Sequence, residues 1–265
     1  MDLGLHDARV LVTGGAANIG RGIVHAFAAE GVRVMIADRD ARQAEKVRAE
    51  ALERGARAVL VATDDLTAPD APDRIVGQML EAWGGVDALV NNAWVSVPNF
   101  LLDDRDRAGW QRHVDVNLFA SVACTQAVLP AMQAQGRGSV VFISSDAAFG
   151  QFRQAVYGAT KAAQVALAKT VAKEFGRDGV RSNVVCPGLV MPPDDASIGS
   201  GSLWAGEDGA VFNEAQRDSI LRSLPLRRLT TPEDIANTVV FLSSDVCSRQ
   251  TTGQLLSVSG GFVMP

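Results

Sequence analysis

From Arg9 onward, short apolar runs alternate with amphipathic stretches, and this alternation predicts the secondary structure. Val10-Leu11-Val12, leading into Thr13-Gly14-Gly15, is apolar at consecutive positions, as in a strand covered on both faces. The stretch 21–30 then places Ile23, Val24, Phe27 and Ala28 on one side, which is a helical period. The unit recurs as strand 33–37, helix 41–54, strand 58–62, helix 71–83 and strand 87–90. A long helical stretch covers 107–135, followed by strand 138–145, a helix reaching 175, strand 181–186, a helix from Thr231-Pro232 to 242, and strand 254–258. Such alternation predicts an α/β fold: a Rossmann-type doubly wound parallel sheet of about seven strands, with helices on both faces.

Periodicity fails from 189 to 209, where Pro192-Pro193, Asp194-Asp195 and several glycines stand together with Leu203 and Trp204. A loop this long in a compact domain reads as a lid, placed at about 189–225, over an apolar ligand. No repeat, low-complexity tract or linker divides the chain, so 1–265 is read as one dinucleotide-binding catalytic domain.

Composition narrows the function. The 265 residues are 47% hydrophobic with a formal net charge of −5. A sizeable core is expected, and a nucleic-acid partner, which needs a basic face, is not. No apolar run approaches the length of a membrane span, and positions 1–9 lack a signal-peptide pattern, so no membrane association is expected. Three scattered cysteines, Cys124, Cys186 and Cys247, read as reduced thiols of a cytoplasmic protein. Three histidines share no ligand spacing, so no metal is expected.

The candidate chemistry lies where strands end. Gly14 permits a tight turn after the first strand, and Asn18-Ile19-Gly20 opens the helix whose free N–H groups suit a pyrophosphate. Asp38 ends the second strand, where a carboxylate accepts the adenosine ribose hydroxyls of NAD and repels a 2′-phosphate; its alternative role is as an N-cap. Arg39 argues the other way, towards NADP. Asp65-Leu66 and Asn91-Asn92-Ala93 end the third and fourth strands on the same edge. Asn117, mid-helix, implies a kink or an ordered water. Tyr157, the only tyrosine, stands one helical turn before Lys161. A neighbouring cation lowers a phenol's pKa and fits it for general acid/base work.

Taken in order, these pieces resemble the classical short-chain dehydrogenase/reductase family along nearly the whole chain. The resemblance rests on Thr13-Gly14 to Gly20, Asp38, Asp65-Leu66, Asn91-Asn92-Ala93, Asn117, a strand-end serine, Tyr157-x-x-x-Lys161, Pro187-Gly188, Pro232-Glu233-Asp234-Ile235-Ala236 and Thr252-Gly253-Gln254. It implies a catalytic tetrad of Asn117, Ser145, Tyr157 and Lys161. In that tetrad Tyr157 is the acid/base, Lys161 lowers its pKa and holds the nicotinamide ribose, the serine binds the substrate oxygen, and Asn117 holds a water that links Lys161 to solvent. NAD is the implied cofactor, contacted by Gly14, Asn18, Ile19, Gly20, Asp38, Asp65, Leu66, Asn91, Ala93, Tyr157, Lys161, Pro187, Gly188 and Val190. The family's usual state implies a homo-oligomer, a dimer or tetramer, with apolar faces of 107–135 and 156–175 between subunits.

Strand register selects Ser145 as the serine, whereas the customary spacing back from Tyr157 selects Ser144; register is preferred, because loops absorb deletions. Departures from the pattern are Asn18 for a turn glycine, Trp94 for the glycine after Asn-Asn-Ala, Pro192 for a carboxamide-binding threonine, and Ser259 for an aspartate. Asn tolerates positive φ, so the turn is expected to survive. The expected activity is NAD(H)-dependent hydride transfer between the nicotinamide and a secondary alcohol or ketone. Trp94, Phe149, Phe152 and Trp204 point to an apolar, cyclic or aromatic small-molecule substrate. A 3-oxoacyl-thioester reductase is the alternative within the family, and a non-catalytic partner subunit, suggested by Asn18, Trp94 and Pro192, is the alternative outside it.

Overall fold

The computed structural model describes residues 2–192, 198 and 214–265. Seven strands, β1 (Arg9–Thr13), β2 (Arg33–Ala37), β3 (Ala58–Ala62), β4 (Ala88–Asn91), β5 (Gly138–Ile143), β6 (Val180–Pro187) and β7 (Leu255–Val258), form one sheet in the order β3-β2-β1-β4-β5-β6-β7. Every pairing is parallel. The order reverses between β1 and β4. In doubly wound sheets that switch point opens a crevice at the carboxyl ends of the strands.

Alternation along each strand divides the core between two faces. Val10, Val12, Val34 and Ile36 point to the side covered by α1 (Asn18–Ala29), α2 (Ala41–Glu53) and α8 (Pro232–Ser243). Leu11, Met35, Leu89, Val140 and Phe142 point to the side covered by α3 (Ala71–Trp83), α5 (Ala120–Gln135) and α6 (Ala155–Phe175). Covering both faces explains why β5 and β6 are buried at every position. Helices α1 and α8 approach closely because position 22 is glycine: a Cβ there would lie 2.7 Å from Pro232 Cβ. Thr231 starts α8 with a reciprocal capping box, its hydroxyl accepting from Asp234 N while the Asp234 side chain accepts from Thr231 N. An ion pair ties the amino edge of the sheet: Arg9 Nε lies 2.7 Å from Asp87 Oδ2, and a second bond of 2.8 Å joins Nη2 to Oδ1.

The structure departs from the sequence reading in three places. The stretch Arg107–Gln135 is not one regular helix: α4 (Arg107–Val114) and α5 are joined by a π-helical turn, Asp115–Phe119. This stretch is also long and apolar enough to cross a membrane by length and composition, with a mean hydropathy of 1.3 in its most apolar window, so the expectation of no such run is corrected. Cys124, Val128, Leu129 and Met132 lie in the core, while Phe119 is 55% exposed. Within the expected lid region an additional helix, α7 (Glu214–Ser223), forms, while most of the remainder, including Pro193 and Trp204, lies outside the described residues.

Candidate active site

At the switch point, β1 ends in the glycine turn. Gly14 takes φ +62 and Asn18 takes φ +39, so Asn18 does adopt the left-handed conformation of the glycine it replaces. Gly20 is required by close approach: a Cβ there would lie 1.9 Å from Gly14 O. Asn92 braces the turn, donating from Nδ2 to Thr13 O at 3.0 Å and to Gly14 O at 2.8 Å, while Thr13 Oγ1 accepts from the Asn92 and Ala93 amides. A cavity of about 440 Å³ opens over this turn. Gly14, Asn18, Ile19, Gly20, Asp38, Asp65, Leu66 and Ala93 all line it.

Asn91 does not line the cavity. It is buried and donates from Nδ2 to Thr125 Oγ1, because alternation at the end of β4 turns its side chain away from the face that Asn92 occupies. Asn92 is therefore the residue of that pair at the cleft.

Asp38 does not cap α2; Asp40 does, accepting from Gln43 N. Asp38 instead holds the turn, its Oδ2 accepting from Ala16 N at 2.9 Å and its Oδ1 from Asp40 N at 3.0 Å. Burial raises its pKa, and these two amides oppose the rise. Arg39 leans towards Asp65, at 3.9 Å. Asp65 Oδ1 accepts from Thr67 N and Oγ1, which together hold its pKa low.

A second cavity, about 150 Å³, lies beyond the ends of β5 and β6 and is lined by Ser145, Gln154, Tyr157, Pro187, Gly188 and Val190 among others. Asn18, Ile19 and Trp94 line both cavities, so the two form compartments of one cleft. Trp94 is a wall of it, with its ring 5.8 Å from that of Tyr157 at an interplanar angle of 60°. Pro192 lines neither cavity.

The two serines separate by register. Ser144 is buried and donates to Lys161 O at 2.8 Å, an anchor for α6. Ser145 lies beside the Tyr157 phenol and pulls its pKa down. Burial outweighs that pull and pushes Tyr157 up to about 12, while burial lowers Lys161 to about 7. Burial therefore works against a phenol tuned towards neutrality, although Tyr157 itself is only half-buried and lines the second cavity. Desolvation disfavours both charged forms, and an ammonium this close to losing its proton helps a phenolate little.

Lys161 lines neither cavity and lies beneath them, fully buried, with Nζ 5.8 Å from the Tyr157 ring centroid. It donates to Ile143 O at 2.7 Å and to Gln164 Oε1 at 3.2 Å. Asn117 sits in the π turn, fully buried: its Oδ1 accepts from Val95 N, and its Nδ2 donates to Val95 O and Thr160 Oγ1. Its side chain thus clamps the loop after β4 onto α6. Gln164, which sequence reasoning passed over, connects the two, donating from Nε2 to Asn117 O at 2.7 Å. Its signal was the spacing: 157, 161 and 164 share one helical face. Asp146 was also missed. It is 3% exposed, both carboxyl oxygens lack a protein partner among the described residues, and burial pushes its pKa to about 7.

The turn fits a dinucleotide. Gly14, Asn18, Ile19 and Gly20 line the cavity above it, and Asn18 Oδ1 is a buried polar atom with no partner among the described residues. The comparisons agree. Residues 14–263 match the family described as Enoyl-(Acyl carrier protein) reductase. The BbsD subunit of a hydroxy(phenyl)methylsuccinyl-CoA dehydrogenase from Thauera aromatica is 36% identical over 261 residues, covering 98% of both chains. The chain belongs to the short-chain dehydrogenase/reductase family. A 3-oxoacyl-(acyl-carrier-protein) reductase from Synechocystis is another relative of this short-chain dehydrogenase/reductase, 33% identical over 96% of each chain. Among solved structures, a 7α-hydroxysteroid dehydrogenase complexed with NADH and 7-oxo glycochenodeoxycholic acid superposes with a TM-score of 0.87 at 30% identity, covering 100% of this chain and 97% of that one. Family and neighbour together support an oxidoreductase that uses a nicotinamide cofactor.

Proposed function

We propose that the protein is an NAD(H)-dependent dehydrogenase that interconverts a secondary alcohol and its ketone. The observation that carries this reading is the meeting of Ser145 and Tyr157 in the smaller compartment of a cleft whose larger compartment ends at Asp38. The glycine turn, Asp38 and Val190 hold the cofactor, with Lys161 beneath the cavities keeping one N–H beyond those given to Ile143 and Gln164. The nicotinamide supplies hydride exchange with the substrate carbon. The protein moves the proton: Tyr157 gives it to the carbonyl oxygen in reduction and takes it from the hydroxyl in oxidation, while Ser145 steadies that oxygen by hydrogen bonding. A phenol held near 12 is protonated at neutral pH, a state suited to reduction.

Asp38 favours NAD, because a carboxylate at the strand end accepts ribose hydroxyls and repels a 2′-phosphate. Trp94 lends the substrate compartment an aromatic wall, which suits an apolar, cyclic or aromatic substrate. The names of the relatives favour a second reading, a 3-oxoacyl- or hydroxyacyl-thioester substrate. We further propose a cytoplasmic homo-oligomer, from the unpaired thiols and the exposed Phe119. Nicotinamide absorbance on a panel of alcohols, ketones and acyl thioesters, with both cofactors, tests the assignment. Tyr157→Phe should lower turnover by about 10²–10⁴-fold or more. Unchanged turnover would remove the phenol from the mechanism, and failure to bind either cofactor by calorimetry would leave a non-catalytic subunit.

A further inference from the structure

The interior between α5 and α6 carries a polar chain beyond the residues assigned above. Gln164 is 0% exposed, as are Lys161 and Asn117. Its three polar bonds use the whole amide: Oε1 accepts from Lys161 Nζ at 3.2 Å, and Nε2 donates to Asn117 O at 2.7 Å and to Ser121 Oγ at 3.0 Å. This fixes the amide's orientation, since an ammonium can only donate and a backbone carbonyl can only accept. Ser121 in turn donates to Asn117 O, Thr125 Oγ1 donates to Ser121 O, and Asn91 Nδ2 donates to Thr125 Oγ1. A connected network of this kind in a low-dielectric interior holds its members in place, although Asn91 Oδ1 has no partner among the described residues.

Asn117 O lies within the π turn, where the i→i+4 ladder is interrupted, and accepts from both Gln164 Nε2 and Ser121 Oγ. The family resemblance implies a water between Asn117 and Lys161; in this chain the Gln164 amide also joins the two.

We propose that Gln164 is a positioning residue for the reaction, fixing the Lys161 ammonium from below and raising its affinity for the proton, so that the charge beside Tyr157 persists to higher pH. The proposal rests on the dehydrogenase reading for its consequence and on the hydrogen bonds for its geometry. Two carbonyl acceptors, Ile143 O and Gln164 Oε1, favour the charged amine against the burial that disfavours it. Other titratable groups face the amine from the elements around it: Tyr157 on its own helix and Cys186 on β6. From α5 and the π turn come only the neutral groups Ser121, Thr125 and Asn117. Loss of one acceptor to a charged donor moves a pKa by about one unit.

The experiment is NMR of the full chain labelled with [ε-¹³C]lysine, which has only four lysines to resolve, titrated for the wild type, Gln164→Met and Ser121→Ala. Gln164→Met keeps the length and removes the acceptor; it should lower the Lys161 midpoint by about one unit. In the cofactor-dependent assay the fall in kcat/KM that accompanies loss of the Lys161 charge should move to lower pH by a similar amount. Ser121→Ala leaves Lys161 untouched and loosens the amide, so it should shift both in the same direction by less. Wild-type midpoints in both variants, with only the melting temperature lowered, would overturn the proposal and leave Gln164 as packing between helices. Should Gln164→Met fail to fold, an unshifted Lys161 in Ser121→Ala overturns it alone. Shifted midpoints in a protein without turnover would uphold the positioning role while sinking the dehydrogenase reading.

Discussion

Asp146 offers the clearest test of the physical account, because its carboxyl is buried and, among the described residues, only the nearby Ser257 and Ser259 hydroxyls oppose the effect of burial. The residue begins the short 3-10 turn after Ser145, is 3% exposed, and lies against Gly188 and Ser259: a Cβ on Gly188 would stand 3.4 Å from Asp146 Oδ2. The neighbouring hydroxyls of Ser257 and Ser259 are hydrogen-bonded to each other and to Val263 O. Burial therefore lifts the carboxyl from 3.8 to about 7, with the two serines opposing the rise. The sign follows from proton counting. Between these two values the unfolded chain has lost the proton that the folded chain keeps, so stability falls as pH rises through the window and levels off above it. The contribution is fully present below the unfolded value and gone above about 7.

In full the shift is worth about 4 kcal/mol, of which about 3 kcal/mol falls between roughly pH 4.5 and pH 8. This is an upper bound, since either serine hydroxyl can rotate to meet the anion. Asp146→Asn removes the titration while keeping the shape. Its stability relative to wild type, from urea unfolding at a series of pH values, should rise by up to about 3 kcal/mol between those limits. Any pH-independent offset reflects how well the amide is satisfied and carries no weight in the test. All other carboxylates are common to both proteins and cancel. A difference that stays flat across the window would show that Asp146 ionises normally in the fold, and would refute the claim that burial sets its ionisation.

Two further outcomes follow from the cofactor turn. Gly20→Ala places a Cβ 1.9 Å from Gly14 O, a contact that only backbone movement relieves; NAD(H) affinity by calorimetry should drop roughly 10–100-fold, and wild-type affinity would show that the turn does not hold the cofactor. Asp38→Ser removes the charge at the end of β2 while keeping an acceptor for Ala16 N; the kcat/KM ratio of NADPH to NADH should rise at least roughly 10-fold, and an unchanged ratio would transfer cofactor choice to Arg39.

The sheet was legible because its strands are buried on both faces: consecutive apolar residues leave little choice once helices of matching length separate them. Register also settled which serine meets Tyr157, since alternation at the end of β5 cannot send Ser144 and Ser145 the same way. The same rule, applied to Asn91 and Asn92, would have assigned Asn92 to the cleft; motif likeness was followed instead. The π turn was half legible: Asn117 implied a kink, but what its carbonyl bonds to depends on packing that periodicity does not encode. Gln164 and Asp146 were invisible for a related reason. A polar residue in a helix or a turn reads as solvated until the neighbours that bury it are known, and those neighbours come from α5 and β7, far away in sequence.

Burial explains the tuning of this site better than charge pairing does. The sequence invites the view that Lys161 makes Tyr157 acidic, because the two stand one turn apart on α6. The structure buries Lys161 fully and sets Tyr157 half-buried at the cavity wall, where loss of water disfavours ammonium and phenolate alike. Left to burial, Lys161 would discharge near neutrality and contribute no field. Hydrogen bonding opposes that discharge, and the acceptors are the β5 carbonyl of Ile143 and the amide of Gln164. The first is part of the sheet and cannot be varied by substitution. The second is a side chain, anchored on the carbonyl of Asn117 within the π turn. On the proposed role of Gln164, the irregular helix and the proton chemistry meet at Asn117, whose carbonyl in the π turn accepts from the amide that faces Lys161.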